Sequence, residues 1–148
     1  MVITMSAKKY KVGFTCGVFD LFHVGHLNLL INCKKQCDKL IVGLCNDEYV
    51  VKVKKNTPVF PQEDRFRILE ALEIVDEVHY VTIEEVNDKV MAQKIFGFDV
   101  LFSGDDWKGT DRYAKTEEEF GKIGVSIEYL PYTKGISTSY IKKSLSKY

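Results

Sequence analysis

The sequence lacks the two glycine-rich signatures by which many α/β proteins bind nucleotides. No G-x-G-x-x-G run follows the first apolar segment, which argues against a dinucleotide-dependent dehydrogenase. No G-x-x-x-x-G-K-[ST] run occurs either, which argues against a P-loop NTPase. Any phosphate site in this chain must therefore depend on another pattern.

Charge, cysteine and long apolar runs exclude further classes. Lys+Arg and Asp+Glu number 21 each, so a strongly basic nucleic-acid or membrane-surface protein is disfavoured. The four cysteines form no C-x-x-C pair and match no common zinc spacing, so we expect reduced core residues. No apolar run approaches the ~18 residues of a membrane helix. We expect a cytoplasmic protein without nucleic-acid or membrane partners.

The 148 residues, 45% of them hydrophobic, suit one globular domain, over residues 10–148 after an extension at 1–9. Apolar runs alternate with helical patterns, which predicts a Rossmann-like parallel sheet with helices on both faces. Residues 52–61 are predicted to be a loop, and 84–96 one helix with Val86, Val90 and Met91 inward. The predicted strands are 10–16, 39–45, 77–81, 99–103 and 125–130, and the main helices are 24–36, 62–74, 84–96, 112–123 and one from 137.

Three unusual loops follow predicted strands, at 17–23, 103–109 and 131–137. The carboxyl ends of parallel strands meet at one edge of the sheet, so these loops are predicted to gather there and form a ligand site. In the first loop His23 and His26 stand three residues apart at a helix start, where free backbone N–H groups favour phosphate. Taken alone, the two histidines are equally compatible with ordinary capping or core roles.

The stretch from Gly17 to His26 resembles the hallmark of the nucleotidyltransferase superfamily with the H-x-G-H motif. Residues 135–139 (Gly-Ile-Ser-Thr-Ser) resemble the G-I-S-T-[ST] motif of cytidylyltransferases, and 104–107 (Gly-Asp-Asp-Trp) the G-D-D-W loop of the glycerol-3-phosphate cytidylyltransferase family. Val-Asp-Glu-Val at 75–78 also matches that family. The resemblance covers about residues 10 to 145.

The resemblance implies the reaction CTP + phospho-alcohol → CDP-alcohol + pyrophosphate, by in-line attack of a substrate phosphate on the α-phosphorus. Catalysis of this kind depends on positioning and charge stabilisation rather than on a covalent nucleophile. The resemblance further implies a homodimer, and Mg²⁺ that bridges the CTP phosphates without dedicated protein ligands.

The resemblance also implies roles for individual residues. His23 and His26 would bind the triphosphate, with His26 donating to the α-phosphoryl oxygens, and Lys54 or Lys55 would neutralise the reacting phosphates; the loop length leaves the choice of lysine open. The implied acceptor-binding residues are Asp20, Arg65 and Trp107. The implied nucleotide-binding residues are Gly17, Val18, Phe19, Asp20, Gly25, Gly104, Asp105, Asp106, Tyr132, Lys134, Gly135, Ile136, Ser137 and Thr138.

The chain departs from the family pattern at two positions. Tyr132 stands in place of an arginine expected to contact nucleotide phosphates, and we hypothesise that Lys134 restores that charge. Glu73 replaces an arginine near the acceptor side, so the acceptor stays open between glycerol 3-phosphate, a pentitol phosphate, phosphoethanolamine and a phosphonate. The run 136–142, with Lys142 at its end, favours CTP over ATP. The alternatives are an adenylyltransferase and a nucleotide-binding module without catalysis.

Overall fold

Five parallel strands form the centre of the fold in the computed structural model, which describes residues 8–148. The strand order is β3-β2-β1-β4-β5, so the Rossmann-like prediction is confirmed. The predicted extension 1–9 lies largely outside the described residues. The strands are β1 (Tyr10–Gly17), β2 (Cys37–Cys45), β3 (Glu77–Val81), β4 (Val100–Gly104) and β5 (Ser126–Leu130).

Helices cover both faces of this sheet, because the strand side chains are apolar on both sides. Leu30 and Leu69 join the core on one face, and Val86 and Phe120 join the core on the other. The helices are α1 (Val24–Lys34), α2 (Asp47–Tyr49), α3 (Gln62–Glu70), α4 (Ile83–Asn87), α5 (Lys89–Phe96), α6 (Asp111–Gly121) and α7 (Thr138–Leu145).

Several predicted helix boundaries are wrong. The single helix expected at 84–96 is two helices, because Asp88 has an extended backbone and its carboxylate caps α5 by accepting from the N–H groups of Val90 and Met91. Met91 is 40% exposed and does not point inward. The helix expected at 62–74 ends at Glu70.

The segment predicted as a loop at 52–61 begins inside a π-helical turn, Val50–Lys54, which continues α2. Lys55 then ends the turn in the left-handed region, at φ 56°. A π-turn is uncommon and is often found at functional sites. This one brings a lysine-rich segment to the carboxyl edge of β2.

The cysteines are free thiols in or beside the core. Cys33, Cys37 and Cys45 are buried and all four cysteines are free. Burial raises the pKa of Cys45 to about 12, so this thiol behaves as a small apolar group. Within residues 8–148, no helix is long and apolar enough to cross a membrane.

Candidate active site

β1 is the central strand, with β2 on one side and β4 on the other, so the chain direction across the sheet reverses there. The three unusual loops meet at the carboxyl ends of the strands. The turn after β1 leads into α1, for which His23 is the N-cap. His23 Nδ1 accepts from the Gly25 N–H at 3.0 Å, and His26 Nδ1 accepts from the His23 N–H at 3.2 Å. This is a capping box built from two histidines. With both Nδ1 atoms accepting, each neutral ring carries its proton on Nε2.

The two imidazoles lie in an aromatic cluster that keeps them uncharged. Their rings stack with centroids 3.8 Å apart, and Phe19 and Phe22 each lie 5.3 Å from the His26 ring. Burial first, and then the charge of His23, lowers the pKa of His26 to about 4. Burial also lowers the pKa of His23. At neutral pH the pair therefore offers two neutral N–H donors.

Two adjoining cavities share His26 and Thr138. The first, which we call the histidine cavity, has a volume of about 160 Å³. The second, which we call the lysine cavity, has a volume of about 290 Å³. The histidine cavity is lined by His23, Gly25, His26, Leu29, Pro131, Tyr132, Thr133, Ile136, Ser137 and Thr138. The lysine cavity is lined by Val18, Phe19, Asp20, His26, Val50, Lys54, Asn56, Thr138, Ser139 and Lys142.

The structure distinguishes the two candidate lysines. Lys54 lines the lysine cavity together with His26, whereas Lys55 lines neither cavity. The reason is the left-handed backbone of Lys55, which turns the chain after Lys54. Such a conformation costs a non-glycine residue about 1–2 kcal/mol. Of the two, Lys54 is the residue in position to meet a phosphate.

Asp20 organises the edge rather than offering a free carboxylate. Its buried oxygens accept from the N–H groups of Val59 at 2.8 Å and Phe60 at 2.9 Å. Its carbonyl accepts from the Thr138 hydroxyl at 2.9 Å. Asp20 thus ties the lysine-rich segment and α7 to the turn after β1. The carboxylate that is expected to contact substrate thus accepts backbone hydrogen bonds, and Asp20 also lines the lysine cavity.

Arg65, which is expected to bind the acceptor, has a fully buried side chain. The guanidinium donates to the carbonyls of Val18, Cys45 and Phe60 at 2.7–3.0 Å. It also pairs with the Asp47 carboxylate at 2.5 Å. Arg65 therefore holds the ends of β1 and β2 and the start of α3 in place, which is a positioning role.

The glycines of the first loop make room for the protein's own rings. A Cβ at Gly17 would lie 3.1 Å from the Phe19 ring, and one at Gly25 would lie 2.8 Å from the His23 ring. The aromatic rings thus occupy the space beside both glycines, and Gly25 also lines the histidine cavity.

The loop after β4 begins with a short 3₁₀ turn, Asp105–Trp107. Trp107, which is expected to contact the acceptor, stacks on Tyr113 with ring centroids 5.2 Å apart and lines neither cavity. Asp106 accepts a hydrogen bond from the Tyr132 hydroxyl at 3.0 Å.

The loop after β5 leads into α7. Ser137 caps that helix by accepting from the Tyr140 N–H, and Gly135 adopts φ 84°. Ile136, Ser137 and Thr138, which are expected to bind the nucleotide, line the histidine cavity, and Lys134 is exposed. Asn28, which the sequence did not suggest, donates to the Thr133 hydroxyl at 3.1 Å and fastens this loop to α1.

Sequence reasoning missed a second polar cleft, between α5 and α6, with a volume of about 530 Å³. Lys89 is only 5% exposed there, and its ammonium group donates to the Val86 carbonyl. Arg112 donates to the same carbonyl at 2.7 Å. Within the described residues Lys89 forms no ion pair, which is unusual for a buried cation. Its position inside an apolar helical pattern hid it from the sequence.

Comparison with known proteins identifies the family. The cytidylyltransferase-like family matches residues 14–144. Glycerol-3-phosphate cytidylyltransferase of Bacillus spizizenii is 39% identical over 92% of this chain and 98% of its own length. FAD synthase of Thermococcus onnurineus is 39% identical over 84% of this chain and 81% of its own length.

A solved structure shares the fold. It is a lipopolysaccharide core biosynthesis protein from Thermoplasma volcanium, with a TM-score of 0.67 and 23% identity over 86% of this chain and 99% of its own. The chain belongs to the cytidylyltransferase-like family, a family of nucleotidyltransferase enzymes.

Proposed function

We propose that this enzyme transfers CMP from CTP to a small phospho-alcohol such as glycerol 3-phosphate. An oxygen of the acceptor phosphate attacks the α-phosphorus, and the bond from that phosphorus to the β-bridging oxygen breaks. The products are a CDP-alcohol and pyrophosphate. The observation that carries the proposal is the meeting of the histidine cavity and the lysine cavity at His26 and Thr138.

The residues at this junction suit phosphoryl chemistry. His26 supplies a neutral N–H donor whose direction is fixed, since its Nδ1 is held by the His23 backbone. Lys54 supplies positive charge in the wall of the lysine cavity, which His26 also lines. Negative charge that develops on the transferring group is stabilised best by donors already in place before the reaction. The proposal assigns His26 to the α-phosphoryl oxygens and Lys54 to the two reacting phosphates.

The buried cation Lys89 supports an acceptor site in the cleft between α5 and α6. Lys89 is only 5% exposed and lies in the wall of this cleft, and its ammonium group donates to the Val86 carbonyl. A phosphate in the cleft would provide the partner that Lys89 lacks within the described residues. Lys89→Met is expected to raise the acceptor KM about tenfold or more, and Lys94→Met, an exposed position on the same helix, is the control.

The relatives support different nucleotides. The relative named glycerol-3-phosphate cytidylyltransferase favours CTP and glycerol 3-phosphate. The relative named FAD synthase favours a second candidate, transfer of AMP from ATP, because its named product contains adenine. The Gly-Ile-Ser-Thr run at 135–138 is the feature of this chain that favours CTP.

The proposal treats Mg²⁺ as part of the nucleotide substrate. Among residues 8–148 there is no group of three or more His, Cys, Asp or Glu side chains that could hold a metal. Mg²⁺ commonly binds substrate phosphates and keeps several of its waters, so it needs few protein ligands.

Pyrophosphate release tests the reaction. Purified enzyme is supplied with Mg²⁺ and either CTP or ATP, each with glycerol 3-phosphate, a pentitol phosphate, phosphoethanolamine and a phosphonate. The proposal expects turnover with CTP and a phospho-alcohol. Turnover with ATP alone would favour the adenylyl alternative, and CTP binding without turnover would favour the non-catalytic module.

The proposal includes a homodimer. β3 lies at one edge of the sheet, where Tyr80 is 40% exposed and its ring lies tilted against Phe66 of α3, with centroids 5.0 Å apart. An exposed strand edge with aromatic side chains is a common place for subunits to pair. Sedimentation equilibrium should give twice the chain mass, and a monomer at micromolar concentration would contradict this part.

A further inference from the structure

Tyr132 joins two loops that approach the site from neighbouring strands. Its hydroxyl donates to Asp106 Oδ1 at 3.0 Å, across the gap between the loop after β4 and the loop after β5. In the part of the chain that the structure describes, it is the one hydrogen bond between segments 104–109 and 131–137. This side-chain hydrogen bond therefore joins the two loops directly.

The contact is built into the packing around it. A Cβ at Gly104 would overlap the Tyr132 hydroxyl and lie 2.5 Å from its Cζ atom. The tyrosine can reach Asp106 only because residue 104 has no side chain. Gly104 has an ordinary backbone conformation, with φ −65°, so the need for glycine here comes from the tyrosine and not from the turn.

The same tyrosine lines the histidine cavity together with His23. Burial, and then the hydrogen bond to Asp106 with the charges of both aspartates, raises the pKa of Tyr132 to about 12. The hydroxyl therefore stays protonated and donates across the physiological range. A neutral donor also keeps negative charge away from the wall of a cavity that receives phosphates.

We propose that Tyr132 is a positioning residue for the nucleotide, acting through its hydrogen bond to Asp106. The bond holds the loops after β4 and β5 at the separation at which the nucleotide fits between them. This inference rests on the proposed nucleotidyl transfer and deepens it. Because His26 and Lys54 lie on other segments, loss of the bond should weaken nucleotide binding more than it slows the chemical step.

A double-mutant cycle tests the coupling. Tyr132→Phe keeps the ring and removes the donor, and it should raise the CTP KM about fivefold, the worth of one hydrogen bond, with kcat within about twofold. Asp106→Ala should raise the KM at least as much, and the double variant should be no worse than Asp106→Ala alone. Tyr140→Phe, at an exposed tyrosine without a side-chain hydrogen bond, is the matched control. The inference would be overturned if the KM increases of the two single variants multiplied in the double variant, or if Tyr132→Phe left the KM unchanged.

A second perturbation breaks the contact without changing either partner. Gly104→Ala should displace the Tyr132 ring and reproduce the weaker CTP binding, whereas Gly121→Ala, where a Cβ meets nothing within 4 Å, should not. Wild-type binding by Gly104→Ala would contradict the role.

Trp107, the single tryptophan of the chain, adjoins Asp106 and gives a fluorescence readout of CTP binding without turnover. If wild type binds CTP but releases no pyrophosphate, the proposed transfer fails. Weaker binding by Tyr132→Phe in that same titration would still support the positioning role, and equal binding would reject it.

Discussion

Replacing Arg65 with methionine removes the guanidinium that joins three segments at the site. The side chain has no exposed surface and makes three hydrogen bonds to carbonyls and one ion pair to Asp47. Methionine fills most of the volume but supplies no donor. The variant therefore separates a positioning role from direct binding of an acceptor.

The expected loss of stability depends on which former partners of Arg65 can be solvated in the variant. Asp47 is 38% exposed and regains solvent, so its contribution is small. The three carbonyls lose their donor in a buried setting, at about 1–3 kcal/mol for each group that stays unsatisfied. We expect Arg65→Met to lower the free energy of unfolding by about 3 kcal/mol and the Tm by about 6–12 °C.

Urea unfolding at pH 7, followed by circular dichroism, measures this loss. Arg65→Lys should lie between wild type and methionine, because the ammonium keeps the charge but reaches fewer carbonyls. Arg67→Met, on the exposed side of α3, serves as the control. Stability within about 1 kcal/mol of wild type, combined with a raised acceptor KM, would refute the positioning role and restore acceptor binding.

Three further predictions concern the site itself. First, the folded state holds the pKa of His26 near 4 against 6.5 unfolded, so unfolded chains bind more protons between these values. The free energy of unfolding should fall as the pH drops from about 6.5 toward 4, and it should fall less in His26→Gln. Urea midpoints of both proteins at pH 7 and pH 5 check this, and an equal decrease in the two proteins would contradict it. Second, Lys54→Ala should lower kcat/KM at least tenfold more than Lys55→Ala, and steady-state kinetics showing equal losses would reverse the assignment. Third, Lys134→Ala should raise the CTP KM several-fold if that lysine replaces the charge missing at Tyr132; an unchanged KM would exclude this compensation.

The sheet could be predicted from the sequence because buried parallel strands are short apolar runs separated by helical patterns. The gathering of the three loops followed from topology alone, and His23 and His26 were assigned to the site by the resemblance to the H-x-G-H motif. The break at Asp88 was missed because an aspartate inside a helical pattern becomes a cap only when its carboxylate turns back on the next two N–H groups.

Roles that depend on where a side chain points could not be predicted. Arg65 and Trp107 match a family pattern, yet one is buried among carbonyls and the other stacks on Tyr113. The choice between Lys54 and Lys55 depends on one left-handed residue, which no pattern of residue types reveals. Lys89 was missed because its burial in a polar cleft is a property of the packing of α5 against α6.

The rate of His26→Ala with CTP and a phospho-alcohol acceptor tests the central claim most directly. If the Nε2–H of His26 stabilises charge on the transferring phosphate, kcat should fall by at least ~10², as for the loss of one transition-state donor. His79→Ala, the remaining histidine, lies exposed on β3 and should retain wild-type kcat. A near-wild-type kcat for His26→Ala would contradict the account of this site.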